Sequence, residues 1–377
     1  MLRFLTSGES HGKALLAILD GIPAGLEIKE EDINIELGRR QVGYGRGQRM
    51  QIEKDLAQIL SGAPHGRTIA SPIGLLIKNR DWENWQNKVT EPLLSPRPGH
   101  ADLAGTLKYY FSDIRDVLER ASARETAARV AVGAVCKVLL NEFGIKVYSR
   151  TIQIGTVRDK SSWGLSAAEW RQIENSPVRC LDGSAGKKMM ALIDQVKAAG
   201  DTLGGVLEIA AVKVPVGLGS HVQWDLKLDG RLAQALMSIQ AIKAVEVGVG
   251  TSAGELPGSR VHDEIIYSKR EGFGHATNNA GGIEGGISNG ENIILRITMK
   301  PIATLIKPLR SVHLRSKKVT SAVVERSDVC AVPAVGVIAE NVVAFELARA
   351  MREKCGGDSL QEMKRNFLGY IEQVKRY

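Results

Sequence analysis

The chain has 377 residues, with 50 Lys plus Arg against 42 Asp plus Glu and a formal net charge of +8. Apolar residues make up 44% and charged residues 24%, enough core-forming material to exclude global disorder. No window approaches the ~18 uninterrupted apolar residues of a membrane span, and Met1 to Thr6 lacks the apolar stretch and cleavage site of a secretory signal.

In chain order, Leu2 to Thr6 reads as a short strand that runs into the turn Gly8-Glu9-Ser10-His11-Gly12, and Ala14 to Leu19 as a second strand. Glu30 to Arg40 has helical spacing, with Ile33 and Leu37 four apart. Arg49 to Ile52 and Thr68 to Ile77 read as strands, whereas Trp82 to Pro98, with Pro92, Pro96 and Pro98, reads as a loop over the surface or over a site. Asp116 to Phe143 gives the strongest helical pattern, closed by Gly144. Two short strands are expected to flank the polar stretch from Arg158 to Ser176. Helices are expected over Gly186 to Ala199, Leu226 to Val245, Asn341 to Cys355 and from Ser359 onward. Strands are expected over Val206 to Val214 and Ile293 to Met299, and the apolar run Val329 to Val337 reads as a buried strand. No repeat or linker divides the chain, so residues 1–377 read as one intertwined α+β domain. The mixed order and the missing Gly-x-Gly-x-x-Gly disfavour a Rossmann fold.

The cysteines Cys136, Cys180, Cys330 and Cys355 are far apart, with no Cys/His zinc spacing, and read as reduced buried thiols of a cytosolic protein. No metal site is expected. The 40 glycines exceed an average usage of about 7% and cluster at 43–47, 248–258 and 281–290. Basic residues cluster at five places, with glycine or proline in Arg39 to Arg49, Arg97-Pro98-Gly99-His100-Ala101-Asp102 and Lys300-Pro301, and without them in Arg120 to Glu125 and Arg326-Ser327-Asp328. Guanidinium forks match phosphate and carboxylate in a bidentate way, so converging arginines suit a small polyanion. On a continuous helix Arg120 and Arg124 share one face, facing either an anion or solvent. His11 and His100 sit in glycine-bounded turns, where an imidazole is either structural or a proton donor near neutral pH. Asp328 reads as a base or a cap, and Asn278 to Gly290 as a close-approach loop for a cofactor or a plain surface loop.

These motifs, in this order along nearly the whole chain, resemble the chorismate synthase family. The resemblance implies a single large α+β domain with helices sandwiched between antiparallel sheets. It implies the 1,4-anti elimination of phosphate from 5-enolpyruvylshikimate 3-phosphate, with reduced FMN and no net redox change. By matching position, His11 protonates the departing phosphate, His100 faces the flavin and Asp328 relays a proton. Ser10, Arg40, Arg46, Arg97, Arg124 and Arg326 match substrate contacts, and Arg40 and Arg46 also match positions assigned to NADPH, a source of reducing equivalents. Arg120, Ala121, Ser122, Gln240, Ala241, Gly285, Lys300, Pro301, Ile302, Ala303, Thr304 and Arg326 match flavin-contacting stretches. The sequence departs from many relatives at Ala121, Gln240 and Ala303, where serine, asparagine and a small polar residue are common. The resemblance further implies a cytoplasmic homotetramer that binds neither nucleic acid nor membrane. A nucleic-acid-binding protein is the alternative that net charge suggests, although the arginines lie in turns and aromatics are only 5%. A flavin reductase without elimination activity is the other.

Overall fold

The computed structural model describes residues 1–47, 54–86, 91–270, 272–324 and 328–377. The strand expected at Arg49 to Ile52 and the residue Arg326 lie outside the described residues.

Short apolar strands build the first sheet. Arg3–Ser7, Ala14–Asp20, Ile73–Lys78 and Ala57–Ser61 pair in that spatial order, all antiparallel. Period-2 side chains place Leu15, Ala17, Leu19, Ile73, Leu75 and Ile77 inward. The outward face is also apolar, with Leu5, Leu16, Ile18 and Leu60 exposed. The second sheet is antiparallel too, in the order Val157–Arg158, Lys146–Ile154, Gly205–Val212, Ile293–Met299, Ile242–Val247. Ile293, Leu295, Ile297 and Met299 alternate into the core as their spacing predicts.

Helices fill the space between the sheets. Thr126–Asn141 packs on the first sheet and against Val332–Cys355, which lies on the second. Glu30–Gln41 and Leu228–Met237 flank this pair. Val332–Cys355 is buried on nearly every side over its first five turns, as expected of a helix inside a core, and its buried polar residues include Glu340, which is ion-paired, and Asn341, which is hydrogen-bonded. Two glycines permit the close contacts. A Cβ on Gly133 would lie 2.4 Å from the Asn341 Cβ and carbonyl, and one on Gly336 would lie 2.8 Å from Ser149 Oγ. The result is an α+β sandwich of helices between antiparallel sheets, as expected.

Three expectations are corrected. The helix expected over Asp116 to Phe143 is broken: Arg115–Ala121 ends at Ser122, whose backbone is extended, and a 3-10 turn at Ala123–Glu125 leads into Thr126–Asn141. Ser122 Oγ accepts the Arg124 N–H and caps the new start, a local bond that competes with helix continuation. The helix expected over Leu226 to Val245 stops at Met237, and Ile242–Val247 is a strand, because the chain turns at Ala241 with φ +69°. The run read as a strand at Val329 to Val337 opens the Val332–Cys355 helix instead; an apolar run shows no period that separates buried strand from buried helix.

Other features follow the expectations. Gly144 closes its helix with φ +77°, and the C-terminal segment Leu360–Lys375 is helical behind a Ser359 cap. Two further features depart from the expectations: the strand expected from Thr68 begins only at Ile73, after Pro72, and a capped helix, Ala167–Asn175, sits in the polar stretch, where none was expected. Among the described residues no helix is long and apolar enough to cross a membrane.

Candidate active site

Turns at the ends of these elements converge on one cavity of about 360 Å³. The turn between the first two strands brings Ser10 and His11, and the end of Glu30–Gln41 with the turn after it brings Arg40 and Arg46. Arg97 and His100 come from the proline loop, and Ala121, Ser122 and Thr126 from the broken helix. Gln240 and Ala241 come from the turn after Leu228–Met237. Lys300, Ile302, Ala303 and Thr304 follow the strand Ile293–Met299, and Asp328 precedes the central helix. That helix lines the same space with one side of its first two turns, through Ala331, Ala334, Val335 and Ile338.

Carboxylates hold these bases in place. Asp55, buried, ion-pairs Arg124 Nη1 at 2.6 Å and Arg40 Nη1 at 3.5 Å. Arg40 Nε donates to Thr126 Oγ1 at 3.0 Å and Nη2 to the Ala123 carbonyl at 3.1 Å. Asp328 pairs with Arg46 at 3.2 Å and accepts the Gly47 N–H at 2.6 Å. Asp102 accepts Arg97 Nε at 2.8 Å and Nη2 at 3.0 Å, and also holds His100 Nδ1. Burial alone would raise the Asp102 carboxyl, but hydrogen bonds from His100 and Arg97 overcome this and hold it well below the usual carboxylate range. Burial lowers the Lys300 ammonium from its usual value, and Lys243 adds to the effect. His11 Nδ1 lies 2.7 Å from Glu119 Oε1, and the Trp85 ring stacks on its imidazole at 3.9 Å between centroids. Ser10 Oγ lies 3.2 Å from Ser122 Oγ.

Of the residues picked from the sequence, Ser10, His11, Arg40, Arg46, Arg97, His100, Ala121, Ser122, Gln240, Ala241, Lys300, Ile302, Ala303, Thr304 and Asp328 line this one cavity. Arg124 stands behind it on Asp55, and Pro301 sits between two lining residues. Arg120 is elsewhere: its guanidinium donates to Thr6 and to the Gly8 carbonyl on the surface. The helix break at Ser122 separates it from Arg124, so the shared face expected of these two arginines does not exist. Gly285 does not line the cavity either; it lies in the tight hairpin Ile283–Glu284 with Ile287–Ser288, near His221. His65, His221, His262, His275 and His313 are not among the lining residues.

Sequence reasoning missed Asp55, Glu119, Trp85 and the holding role of Asp102. Asp55, Glu119 and Trp85 are single residues without a motif of their own, whereas Asp102 stands in the Arg97 to Asp102 motif, in which only Arg97 and His100 drew a role. The one available signal was electrostatic: buried arginines need carboxylates near them. Also missed was the apolar wall of Leu118, Ile239, Met299, Val335 and Ile338.

This wall tests the site against a flat cofactor. The lining carries enough apolar surface to receive a ring system, and Lys300, Thr304 and Ser122 bring polar groups to the same cavity. Gln240 Oε1 is buried without a hydrogen-bond partner among the described residues, while Nε2 is held by Glu125 Oε2 at 3.4 Å. A buried acceptor left in this state suits a ligand N–H. The residues present therefore fit a flavin.

A family model described as chorismate synthase matches residues 2–351. The chorismate synthase of Pelobacter propionicus (strain DSM 2379 / NBRC 103807 / OttBd1) is 56% identical over 391 residues, covering 100% of both chains. That of Geobacter sulfurreducens (strain ATCC 51573 / DSM 12127 / PCA) is 55% identical over 394 residues, again covering 100% of both. The chorismate synthase of Aquifex aeolicus (strain VF5) is 53% identical over 395 residues, covering 100% of this chain and 99% of that one. A solved structure described as a crystal structure of chorismate synthase superposes with a TM-score of 0.83 at 45% identity, covering 100% of this chain and 99% of the other. With sandwich, cavity and relatives in agreement over the length of the chain, it belongs to the chorismate synthase family.

Proposed function

We propose that this chain eliminates phosphate from 5-enolpyruvylshikimate 3-phosphate in the 1,4-anti sense, giving chorismate and inorganic phosphate with no net redox change. The observation that carries the reading is the convergence of Arg40, Arg46, Arg97, Lys300, His11 and His100 on one cavity with an apolar wall. The substrate carries a phosphate and two carboxylates, which guanidinium forks bind and orient. Negative charge grows on the departing phosphate as the C–O bond breaks. His11 protonates that phosphate, and Arg40 and Arg46 stabilise it with charge already in place. Asp328 takes and passes on a proton through its carboxylate while keeping Arg46 oriented. His100, held by Asp102, orients the cofactor side. Ala121, Ser122, Gln240, Ala241, Lys300 and Thr304 would hold reduced FMN. When bound, that cofactor supplies the electron density that an ordinary base cannot. The apolar wall excludes water from the reacting atoms. NADPH serves only as a source of reducing equivalents, with Arg40 and Arg46 as its phosphate contacts.

We also infer a cytoplasmic homotetramer. Four buried cysteines without disulfides agree with a reducing compartment, and the apolar outer face of the first sheet agrees with self-association.

The deciding assay is anaerobic. Protein and chemically reduced FMN are mixed with 5-enolpyruvylshikimate 3-phosphate, and chorismate absorbance is followed. Chorismate formation is expected; its absence would overturn the reading. With NADPH, oxidised FMN and no substrate in air, little NADPH should be consumed, and rapid loss would favour a flavin reductase. His11→Ala and Asp328→Ala should lower kcat by about 10²-fold or more, whereas Arg46→Ala should act mainly on KM. Equal effects of all three would refute the division of roles.

A further inference from the structure

Glu119 binds the His11 turn at three consecutive groups. Its backbone carbonyl accepts the Ser10 N–H at 2.9 Å. Its carboxylate accepts the His11 backbone N–H on Oε2 at 2.8 Å and meets the ring Nδ1 with Oε1 at 2.7 Å. The His11 side chain is only 14% exposed and that of Glu119 22%. The Trp85 ring covers the imidazole at 3.9 Å, and Trp85 Nε1 is itself anchored on Asp81 Oδ2 at 2.8 Å. Asn79 Nδ2 donates to the Gly12 carbonyl at 2.9 Å, so the loop carrying Trp85 is tied to the same turn. The ring is thereby fixed in plane and in tilt.

A carboxylate oxygen can only accept, so its short contact with Nδ1 puts a proton on that nitrogen. The other ring nitrogen, Nε2, is then the atom of His11 that serves the cavity it lines. We propose that Glu119 is the positioning residue of the proton donor: it keeps a proton on Nδ1 throughout and favours the doubly protonated ring, so that the Nε2 proton is the one given to the substrate phosphate and the neutral Nδ1–H ring is left behind. The assignment rests on the function proposed above for what Nε2 does, but not for how Glu119 holds the ring.

The chemistry of a glutamine at this position makes the idea testable. Glutamate offers two acceptors, one for the backbone N–H and one for the ring. Glutamine offers one. If its amide oxygen keeps the backbone N–H, its NH₂ faces Nδ1 and donates to it, which moves the ring proton to Nε2. Glu119→Gln thus inverts the tautomer and disfavours the doubly protonated ring. Glu119→Asp keeps both acceptors on a shorter arm.

The test uses the full chain with ¹⁵N-labelled histidine, recorded at a pH where the ring is neutral, with His11→Ala to assign its signals. The wild type should show Nδ1 protonated, Glu119→Gln should show Nε2 protonated, and Glu119→Asp should retain the wild-type pattern. In the elimination assay Glu119→Gln should lose about 10²-fold in kcat with KM within a factor of three, and Glu119→Asp should recover at least a tenth of wild-type kcat. A wild-type ring protonated at Nε2 overturns the proposal by itself, even if the Gln variant fails to fold. An unchanged tautomer in Glu119→Gln, or a loss carried by KM, overturns it too. If wild type makes no chorismate, the functional reading fails while the ring spectra still decide the role of Glu119.

Discussion

Asp55 receives Arg40 and Arg124 together, and its side chain is only 2% exposed. One carboxylate shared by two guanidiniums holds both beside the cavity and keeps them from collapsing onto the protein surface. Replacing Asp55 by Asn removes the counter-charge from two buried cations. Breaking a buried pair in this way costs about 3–5 kcal/mol, so urea unfolding of Asp55→Asn at neutral pH should show a loss of that order. A loss below about 1 kcal/mol would mean that solvent already compensates these arginines. Arg40, Arg46, Arg97, His11 and His100 were legible because each sits in a stretch with glycine or proline, and Arg124 because it repeats a basic residue four positions after Arg120. Of their carboxylate partners, Asp55 and Glu119 were not legible, because they stand at positions with no pattern around them, while Asp102 was in view beside His100 but its hold on Arg97 and His100 was not. Pairing of this kind is a property of folded distance rather than of spacing.

Elements were legible where the period was clean. The strands at Arg3–Ser7 and Ile293–Met299 and the helix at Glu30–Gln41 carry alternation or helical spacing that survives folding, and Ala14–Asp20 was legible as a short apolar run after a glycine turn. Errors arose where an apolar pattern ran on through a local stop: Ser122 caps a new start, and the chain reverses at Ala241. The first of these stops matters for the site, since it sends Arg120 outward and Arg124 inward. The central helix meets its neighbour at Gly133, so Gly133→Ala should cost about 1–3 kcal/mol from overpacking, measured as a lower unfolding midpoint; an unchanged midpoint would mean the two helices can separate freely. The same central helix carries Glu340, fully buried and bound to Arg39, Lys137 and Arg179. Burial raises its carboxyl, but Arg39, Lys137 and Arg179 outweigh burial and hold it well below the usual range. A carboxyl depressed in the folded state stabilises above the unfolded value of about 4.3 and loses that contribution as pH falls toward the folded value. The stability gap between wild type and Glu340→Gln should therefore be full at neutral pH and shrink below about pH 4; a gap independent of pH would show that the charge is not what matters.

At the scale of the molecule, a net charge of +8 and a basic cavity act on an anionic substrate before contact. Raising ionic strength from about 0.01 to 0.15 M shortens the screening length from about 30 to 8 Å, so kcat/KM should fall several-fold while kcat stays nearly constant. A flat response would confine the arginines to short-range binding. Size measurement in solution checks the tetramer: a mass four times that of the chain is expected, and introducing lysines at Leu16 and Ile18 should reduce it if the outer face of the first sheet is the contact. The cysteines lead to a different kind of experiment. All four are buried, and desolvation pushes the Cys180 thiol up to about 12 and that of Cys330 to about 11. The thiolate is the reactive species, so an aromatic disulfide reagent should titrate none of them quickly in the native protein and all of them in denaturant. Cys330 backs the Gly45 turn and follows Asp328 by two positions. Its labelling rate becomes a clock for how often the wall behind Arg46 opens, readable without any substrate, flavin or turnover.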